Sequence, residues 1–301
     1  MMPDTTPLAE DQPMTVDGSL LKYPGSKWRV APWVLEHFPP HKIYVEAFAG
    51  SAAILMQKAR VTTEILNDTN QDIVTFWRVL RDPKQLRELT RLLELTPYSR
   101  VEYFDAHDVY AADSYEALPP VERALNFLIR GTFANYSQGA NKPFGFMARI
   151  SPSGDATTES FWSSRPRILA QAGARLQRVI LESCDALDII RRHNRPDALI
   201  YLDPPYLLST RTGVLYPNEM TDAQHRLMLR EARASTASVL ISGYSSRLYE
   251  RHLEAYEWTR FEQAARTDSN ATRTECLWVS PLTMRRLNKN RKQPHLWEGD
   301  A

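Results

Sequence analysis

Cysteines, long apolar runs and glycine-rich loops are all scarce in this chain of 301 residues. The two cysteines, Cys184 and Cys276, offer neither a disulfide framework nor the spacing of a zinc site, so the sequence predicts two small buried side chains and no bound metal. No apolar run is long enough to span a membrane, and the N-terminus lacks the basic-then-apolar pattern of a signal peptide. These absences favour a cytoplasmic protein without a membrane partner.

The net charge does not by itself indicate a nucleic-acid-binding protein, because 37 basic and 36 acidic residues leave a formal charge of +1. The basic residues are nevertheless concentrated in two stretches. Within 126–180 only Asp155 and Glu159 oppose the basic residues Arg130, Lys142, Arg149, Arg165, Arg167, Arg175 and Arg178. A second cluster near the C-terminus comprises Arg285, Arg286, Lys289, Arg291 and Lys292. A solvated surface is the simplest interpretation of either stretch.

Hydrophobic periodicity predicts an α/β fold with a doubly wound, mostly parallel sheet. A strand pattern at Lys42–Glu46 is followed by a loop, a helical stretch and a second strand at Thr63–Asp68, and this order opens such a sheet. Further strand patterns fall at 179–181, 198–202, 238–241 and 275–279. Residues 76–178 are helical and loop-rich, which indicates an inserted module. Residues 1–18 are expected to form a disordered tail, and the basic residues 284–301 a mobile one.

One segment carries the strongest functional signal. The apolar run 199–202 is typical of a buried parallel strand, and Asp203-Pro204-Pro205-Tyr206 ends it, because neither proline can donate a ladder hydrogen bond. Open α/β sheets bind ligands at this end of their strands. A flat ring with an exocyclic amine would stack on Tyr206 and direct its N–H groups at Asp203 and the Pro204 carbonyl. Those hydrogen bonds favour tetrahedral nitrogen, whose lone pair is free to attack.

Three acidic or loop positions could hold a nucleoside beside that segment. The loop with Glu46, Phe48 and Gly50 joins a strand to a helix, where glycine admits a ligand and helix N–H groups are free. Asp68 follows about 20 residues later, as acids that hold ribose hydroxyls do, although it could equally cap a helix. Asp185 could accept a hydrogen bond from an adenine amine, or cap the helix that follows it.

A turn at 21–28 is flanked by aromatic residues and lysines. A surface loop explains it as simply as a lid does. As a lid, it would set Tyr23 on an adenine or methionine moiety of a ligand and Lys27 on a carboxylate.

Taken in order, these segments resemble the Dam-like, adenine-specific DNA methyltransferases of the D12 class, especially their phage and prophage branch. The resemblance covers roughly residues 20–282. Its motifs are Lys-Tyr-Pro-Gly-Ser-Lys at 22–27, Val-Glu-Ala-Phe-Ala-Gly-Ser at 45–51, Leu-Asn-Asp at 66–68, Asp-Pro-Pro-Tyr at 203–206, and the downstream pair Ser-Gly-Tyr at 242–244 and Glu-Cys-Leu-Trp at 275–278.

The resemblance implies a Rossmann-like core, at 19–75 and 179–283, that uses S-adenosylmethionine to methylate N6 of adenine in DNA. The partner would be duplex DNA with the target adenine flipped out. Residues 76–178 would be the target-recognition insertion, and their basic excess would suit phosphate contact. The sequence identifies neither the recognition site nor a cognate restriction enzyme.

The resemblance also implies roles for single residues. The implied cofactor-binding residues are Tyr23, Lys27, Glu46, Phe48, Gly50, Asp68, Asp185 and Asp203. The implied catalytic residues are Asp203, Pro204, Pro205 and Tyr206. Two positions depart from the family pattern. Ala52 stands where a second glycine is usual, and its methyl is expected to tighten the cofactor pocket. Ser26 stands where the family has glycine before the lysine.

Three alternatives stay open at this point. Cytosine N4 is also an exocyclic amine, although serine in place of Asp203 is commoner in enzymes that methylate it. A DNA-binding protein that has lost catalysis, with Ala52 as the lesion, is a second alternative. The third is methylation of RNA or protein.

Overall fold

The computed structural model describes residues 16–135, 143, 145–148, 161–211, 216, 218–266 and 272–292. Most of the predicted N-terminal tail and the end of the C-terminal tail lie outside these residues. So do Lys142 and Arg149, two of the basic residues in the predicted insertion.

Seven strands form one sheet in the order β3-β2-β1-β4-β5-β7-β6. They are β1 Ile43–Glu46, β2 Thr63–Asn67, β3 Val179–Glu182, β4 Ala198–Leu202, β5 Ser238–Gly243, β6 Thr259–Arg266 and β7 Thr272–Val279. The first five strands are parallel, and β7 runs antiparallel to both β5 and β6. This arrangement confirms the predicted α/β fold with a mostly parallel sheet. β6 was not predicted.

Helices cover both faces of the sheet. They are α1 Ala31–Leu35, α2 Ala53–Gln57, α3 Gln71–Arg81, α4 Pro83–Leu95, α5 Arg100–Ala111, α6 Pro120–Phe133, α7 Arg165–Leu176, α8 Ala186–Arg192, α9 Asp222–Ala234, α10 Arg247–His252 and α11 Pro281–Lys292. None of the described helices has the length and apolar character needed to cross a membrane.

The core divides into two clusters, one on each face, because side chains alternate along a strand. Val45 and Ile200 point to the face covered by α8, α9 and α10. Tyr44 and Tyr201 belong to the cluster on the opposite face, which includes residues of α1, α2, α3 and α7. Each central strand is therefore buried on both sides, as a parallel sheet between two helical layers requires.

Helices α3 to α7 follow β2 and precede β3; α4 to α7 lie within 76–178, the part of the chain predicted to be inserted, and α3 crosses its predicted start. That this part forms a target-recognition module stays a prediction. Its basic residues are less available than the sequence suggested. Arg130, Arg165 and Arg175 are at most 1% exposed. Arg130 donates to Asp72 at 2.9 Å, and Arg175 donates to Glu64 at 2.5 and 2.9 Å. The prediction of a basic surface for phosphate contact is therefore wrong for these three arginines, which bind within the protein.

Neither cysteine forms a disulfide, and Cys276 is buried as predicted, whereas Cys184 is only half-buried. Among the described residues, no group of three or more His, Cys, Asp or Glu side chains is placed to hold a metal ion.

We expect Gly173→Ala to destabilise the protein by about 1–3 kcal/mol, because α7 packs too closely on α3 for an added methyl. A Cβ at Gly173 would lie 2.5 Å from the Leu80 carbonyl oxygen and 2.8 Å from Leu86 Cδ2. Helix propensity alone predicts the opposite, a gain of about 1 kcal/mol. Urea unfolding distinguishes the two. Ala174→Gly, at the exposed neighbouring position, is the control and should cost only about 1 kcal/mol. A stabilised Gly173→Ala protein would contradict the close packing.

Candidate active site

The carboxyl ends of the central strands meet at one edge of the sheet and carry acidic residues. Glu46, the last residue of β1, is in register with Leu66 of β2 and Tyr201 of β4. Asp68 comes directly after β2, and Asp203 directly after β4. Parallel pairing therefore brings three carboxylates to the same edge.

A cavity of about 390 Å³ opens at this edge. Its lining includes all eight residues predicted to bind the cofactor, which are Tyr23, Lys27, Glu46, Phe48, Gly50, Asp68, Asp185 and Asp203. Of the predicted catalytic residues, Asp203 and Pro205 line the cavity, whereas Pro204 and Tyr206 are not part of its lining. The two predicted sets meet at Asp203.

The loop after β1 is held by Asp68. Gly50 has φ +48°, and its N–H donates to Asp68 Oδ2 at 2.9 Å. The Asn70 N–H donates to Asp68 Oδ1, also at 2.9 Å. Asn70, not Asp68, caps α3 by accepting from the Asp72 N–H. Asp68 therefore fixes the loop where it faces the cavity, and its burial raises the pKa of the carboxyl although the backbone N–H groups oppose that shift.

Asp185 caps a helix and also lines the cavity. Its Oδ1 accepts a hydrogen bond from the Leu187 N–H at 2.7 Å, which caps α8. The same residue lines the cavity and is exposed. Capping fixes the carboxylate at the cavity wall and leaves oxygen lone pairs for a ligand.

The two departures from the family pattern have local explanations. Ala52 is the N-cap residue of α2 and has φ +54°, a left-handed conformation that costs a non-glycine residue roughly 1 kcal/mol. Its side chain is buried in the core and is not part of the cavity lining, so the methyl does not tighten the cofactor pocket as expected. Ser26 Oγ lies 3.1 Å from Ser51 Oγ, which joins the upstream turn to the loop after β1.

Lys27 is buried at the centre of the site, 6% exposed. Its Nζ lies 3.0 Å from Asp203 Oδ1 and 3.7 Å from Glu275 Oε1, and it donates to the Gly25 carbonyl oxygen at 2.7 Å. Burial would lower the pKa of Lys27, but Asp203 and then Glu275 outweigh it and raise that pKa above its ordinary value. The turn at 21–28 is therefore part of the site, and its lysine is a cation facing Asp203.

Tyr206 stands beside this lysine. Its hydroxyl donates to Glu275, its ring centroid is 4.9 Å from Lys27 Nζ, and the Tyr244 ring meets it edge-on at 4.7 Å. Glu275 and Tyr244 belong to motifs that the sequence singled out, but no role was predicted for them. They reach the site because β7 runs antiparallel to β5, which pairs Cys276, next to Glu275, with Gly243, next to Tyr244.

Tyr216, a third residue without a predicted role, lines the cavity beside the turn at 21–28. Its hydroxyl donates to the Pro24 carbonyl oxygen at 3.1 Å, and its ring centroid is 6.1 Å from that of Tyr23. A Cβ at Gly25 would lie 2.5 Å from this hydroxyl, so glycine is required there. No motif marks Tyr216, and only the fold brings it to the turn.

Asp203 is the group best suited to bind an amine. Burial raises its pKa, and Lys27 opposes that shift. The ammonium at 3.0 Å is not aligned for a hydrogen bond, and Oδ1 accepts none from any residue in the described part of the chain. A buried carboxylate oxygen with unused acceptor capacity, next to a cavity, favours a ligand that brings an N–H donor.

A family model described as D12 class N6 adenine-specific DNA methyltransferase matches residues 23–267. No curated protein matches the sequence. Among solved structures, precorrin 8w decarboxylase from Methanobacterium thermoautotrophicum aligns over 88% of this chain and 95% of that chain, with 8% identity and a TM-score of 0.33. A similarity of that size has no bearing on activity.

Glu46 generates a pH-dependent prediction. It is 2% exposed and accepts hydrogen bonds from the Tyr44 hydroxyl at 2.6 Å and the Leu55 N–H at 2.7 Å. Burial nevertheless raises the pKa of Glu46 from 4.5 to about 7. The folded protein therefore holds this proton more tightly than the unfolded chain, so the contribution to stability is complete below about pH 4.5 and is lost as pH rises to about 7.

We expect Glu46→Gln to remove this loss. Between pH 4.5 and 8 its free energy of unfolding should rise relative to the wild type by roughly 3 kcal/mol, since one pKa unit corresponds to about 1.4 kcal/mol. Urea unfolding of both proteins across that pH range measures the difference. If the free energies of unfolding of the two proteins changed in parallel with pH, the pKa of Glu46 would be the same in the folded and the unfolded protein, and the prediction would be wrong.

Proposed function

The chain belongs to the D12 class of N6 adenine-specific DNA methyltransferases, and from that premise we propose that it transfers the methyl group of S-adenosylmethionine to an adenine flipped out of duplex DNA. The reaction would take place at Asp203-Pro204-Pro205-Tyr206. One observation supports the proposal above the others: Asp203 and Pro205 of this segment line the same cavity as the predicted cofactor-binding residues.

The cavity suits S-adenosylmethionine in size and chemistry. Its volume of about 390 Å³ lies in the range of roughly 300–1,000 Å³ that is common for small-molecule pockets. Phe48, Leu187 and Met220 provide apolar walls for a base, while Asp68 and Asp185 provide carboxylates for ribose hydroxyls and an adenine amine. When bound, this cofactor supplies an electrophilic methyl group on a sulfonium.

Asp203 would orient the target amine. One N–H of the amine would donate to the carboxylate and the other to the Pro204 carbonyl, which favours tetrahedral nitrogen and directs its lone pair. Asp203 would also stabilise the positive charge that develops on that nitrogen, and a buried site strengthens this effect. The proposed role is orientation and charge stabilisation, not removal of a proton before attack.

Tyr206 would supply the surface on which the flipped base stacks. The hydrogen bond of its hydroxyl to Glu275 and the edge contact with Tyr244 fix the ring plane. A fixed ring places the base at one distance from Asp203, and such positioning contributes much of the rate enhancement when two reactants must align. The helices within 76–178 would carry the contacts that select the DNA sequence.

The proposal is tested by incubating the protein with tritiated S-adenosylmethionine and PCR-amplified genomic DNA, which carries every candidate site unmethylated. Digestion to nucleosides should place the label in N6-methyldeoxyadenosine. Label in N4-methyldeoxycytidine, or in RNA or protein substrates and not in DNA, would overturn it. Absence of transfer to any of these would support a homologue that has lost catalysis.

Asp203→Ala should lower methyl transfer to DNA by about 10³-fold or more, because the amine loses its acceptor and its charge stabilisation. Cofactor affinity, measured by isothermal titration calorimetry, should change only a few-fold. Asp197→Ala is the matched control, since this carboxylate lies just before β4, at the end of the strand opposite to Asp203. Near-normal turnover of Asp203→Ala would remove this residue from the mechanism.

Asp68→Ala should weaken cofactor binding by about 10- to 100-fold, as expected when a charged hydrogen-bond acceptor is lost. Titration calorimetry with S-adenosylmethionine measures it. Asp188→Ala, an exposed carboxylate on α8 outside the cavity lining, should bind within two-fold of the wild type. An unchanged affinity of Asp68→Ala would mean that this carboxylate does not hold the ribose.

A further inference from the structure

The charges at the centre of the site do not balance. One ammonium, on Lys27, lies between two carboxylates, 3.0 Å from Asp203 and 3.7 Å from Glu275. The side chains of Lys27 and Glu275 are 7% and 8% exposed, and that of Asp203 is 18% exposed. The cluster therefore contains one cation for two anions in a place with little solvent to screen them.

This arrangement creates a conflict with the proposed reaction. The target amine must donate to Asp203, whose Oδ1 accepts no hydrogen bond from the described residues but already faces the Lys27 ammonium at 3.0 Å. Moving the ammonium away without another partner would leave a buried charge unpaired, which is strongly unfavourable. Base binding at Asp203 therefore requires a second anion for Lys27.

Glu275 meets that requirement. It is already within 3.7 Å of the ammonium, and the Tyr206 hydroxyl donates to the same oxygen, Oε1, which holds the carboxylate in place. The Gly25 carbonyl oxygen, 2.7 Å from Nζ, can keep its hydrogen bond while the ammonium shifts from one carboxylate to the other. A short displacement thus exchanges the ion pair without exposing either charge.

We propose that Glu275 is a positioning residue that takes over Lys27 as its counter-ion when the target amine binds Asp203. This inference rests on the proposed methyl transfer to adenine. Glu275 acts through Lys27 and does not touch the reacting atoms. The same carboxylate orients Tyr206, so the exchange of the ion pair and the stacking surface for the base depend on one side chain.

The test is a double-mutant cycle with single-turnover methylation of PCR-amplified DNA, enzyme in excess so that slow variants still give rates. Glu275→Gln keeps the shape and an oxygen acceptor for Tyr206 but removes the charge. It should lower the rate at limiting DNA about 10- to 100-fold. A loss of this size corresponds to the interaction energy expected between two side chains in contact. Cofactor affinity should stay within two-fold. In a Lys27→Met background, Glu275→Gln should change the rate less than three-fold.

Two further variants distinguish this role from a merely structural one. Glu275→Asp, which is shorter but charged, should retain more activity than the isosteric Glu275→Gln, whereas a packing role would give the reverse order. Tyr206→Phe should leave the effect of Glu275→Gln intact, because the exchange acts on Lys27 and not on the tyrosine hydroxyl. Thermal unfolding of each variant reports whether it folds.

The inference is overturned if Glu275→Gln stays within three-fold of the wild type, if its loss persists in full without Lys27, or if Glu275→Asp is the poorer variant. Transfer to adenine by the wild-type protein is measured first in the same assay. Failure of the proposed function would therefore show in the parent protein, and failure of this inference only in the variants.

Discussion

Parallel pairing of β1 with β2 on one side and with β4 on the other is the constraint on which the site depends. The register that sets Glu46 beside Tyr201 makes both strands end at the same level. Because the chain order reverses between β1 and β4, the loops that follow these strands separate and leave a crevice, as in other open α/β sheets. The cavity lies there, and Asp68 and Asp203 follow the neighbouring strand ends. A shift of this register would separate Asp203 from the Gly50 loop, which line the same cavity.

Electrostatics then determines what each buried acid can do. Glu46 has hydrogen-bond donors but contacts no cation within the described part of the chain, and burial raises its pKa to about 7. Asp203 and Glu275 share the Lys27 ammonium, which opposes the same effect of burial. Buried ion pairs also occur away from the site. In the helices between β2 and β3, the charges of Arg130 and Arg175 are neutralised by carboxylates inside the protein. The cluster at Asp203 combines two carboxylates and one ammonium at the wall of a cavity.

Much of the fold could be predicted because β1 to β5 are short apolar runs closed by turn residues. β6 escaped prediction because Thr259–Arg266 is an edge strand of mostly polar, weakly β-forming residues. At the site, residues that follow directly after predicted strands were placed at the right edge, since parallel strands fix where their ends lie. The place of Glu275 in the site could not be predicted, because it depends on the antiparallel direction of β7. Burial of Arg165 was equally invisible, since composition does not distinguish an arginine in the core from one on the surface.

The central claim is that one crevice holds the cofactor against the catalytic carboxylate. A crystal structure of the complex with S-adenosylhomocysteine tests it most directly. We predict that the nucleoside contacts Asp68 and the Gly50 loop, with the sulfur directed toward Asp203. A complex in which the ligand binds away from this edge, or in which its sulfur points away from Asp203, would contradict the claim.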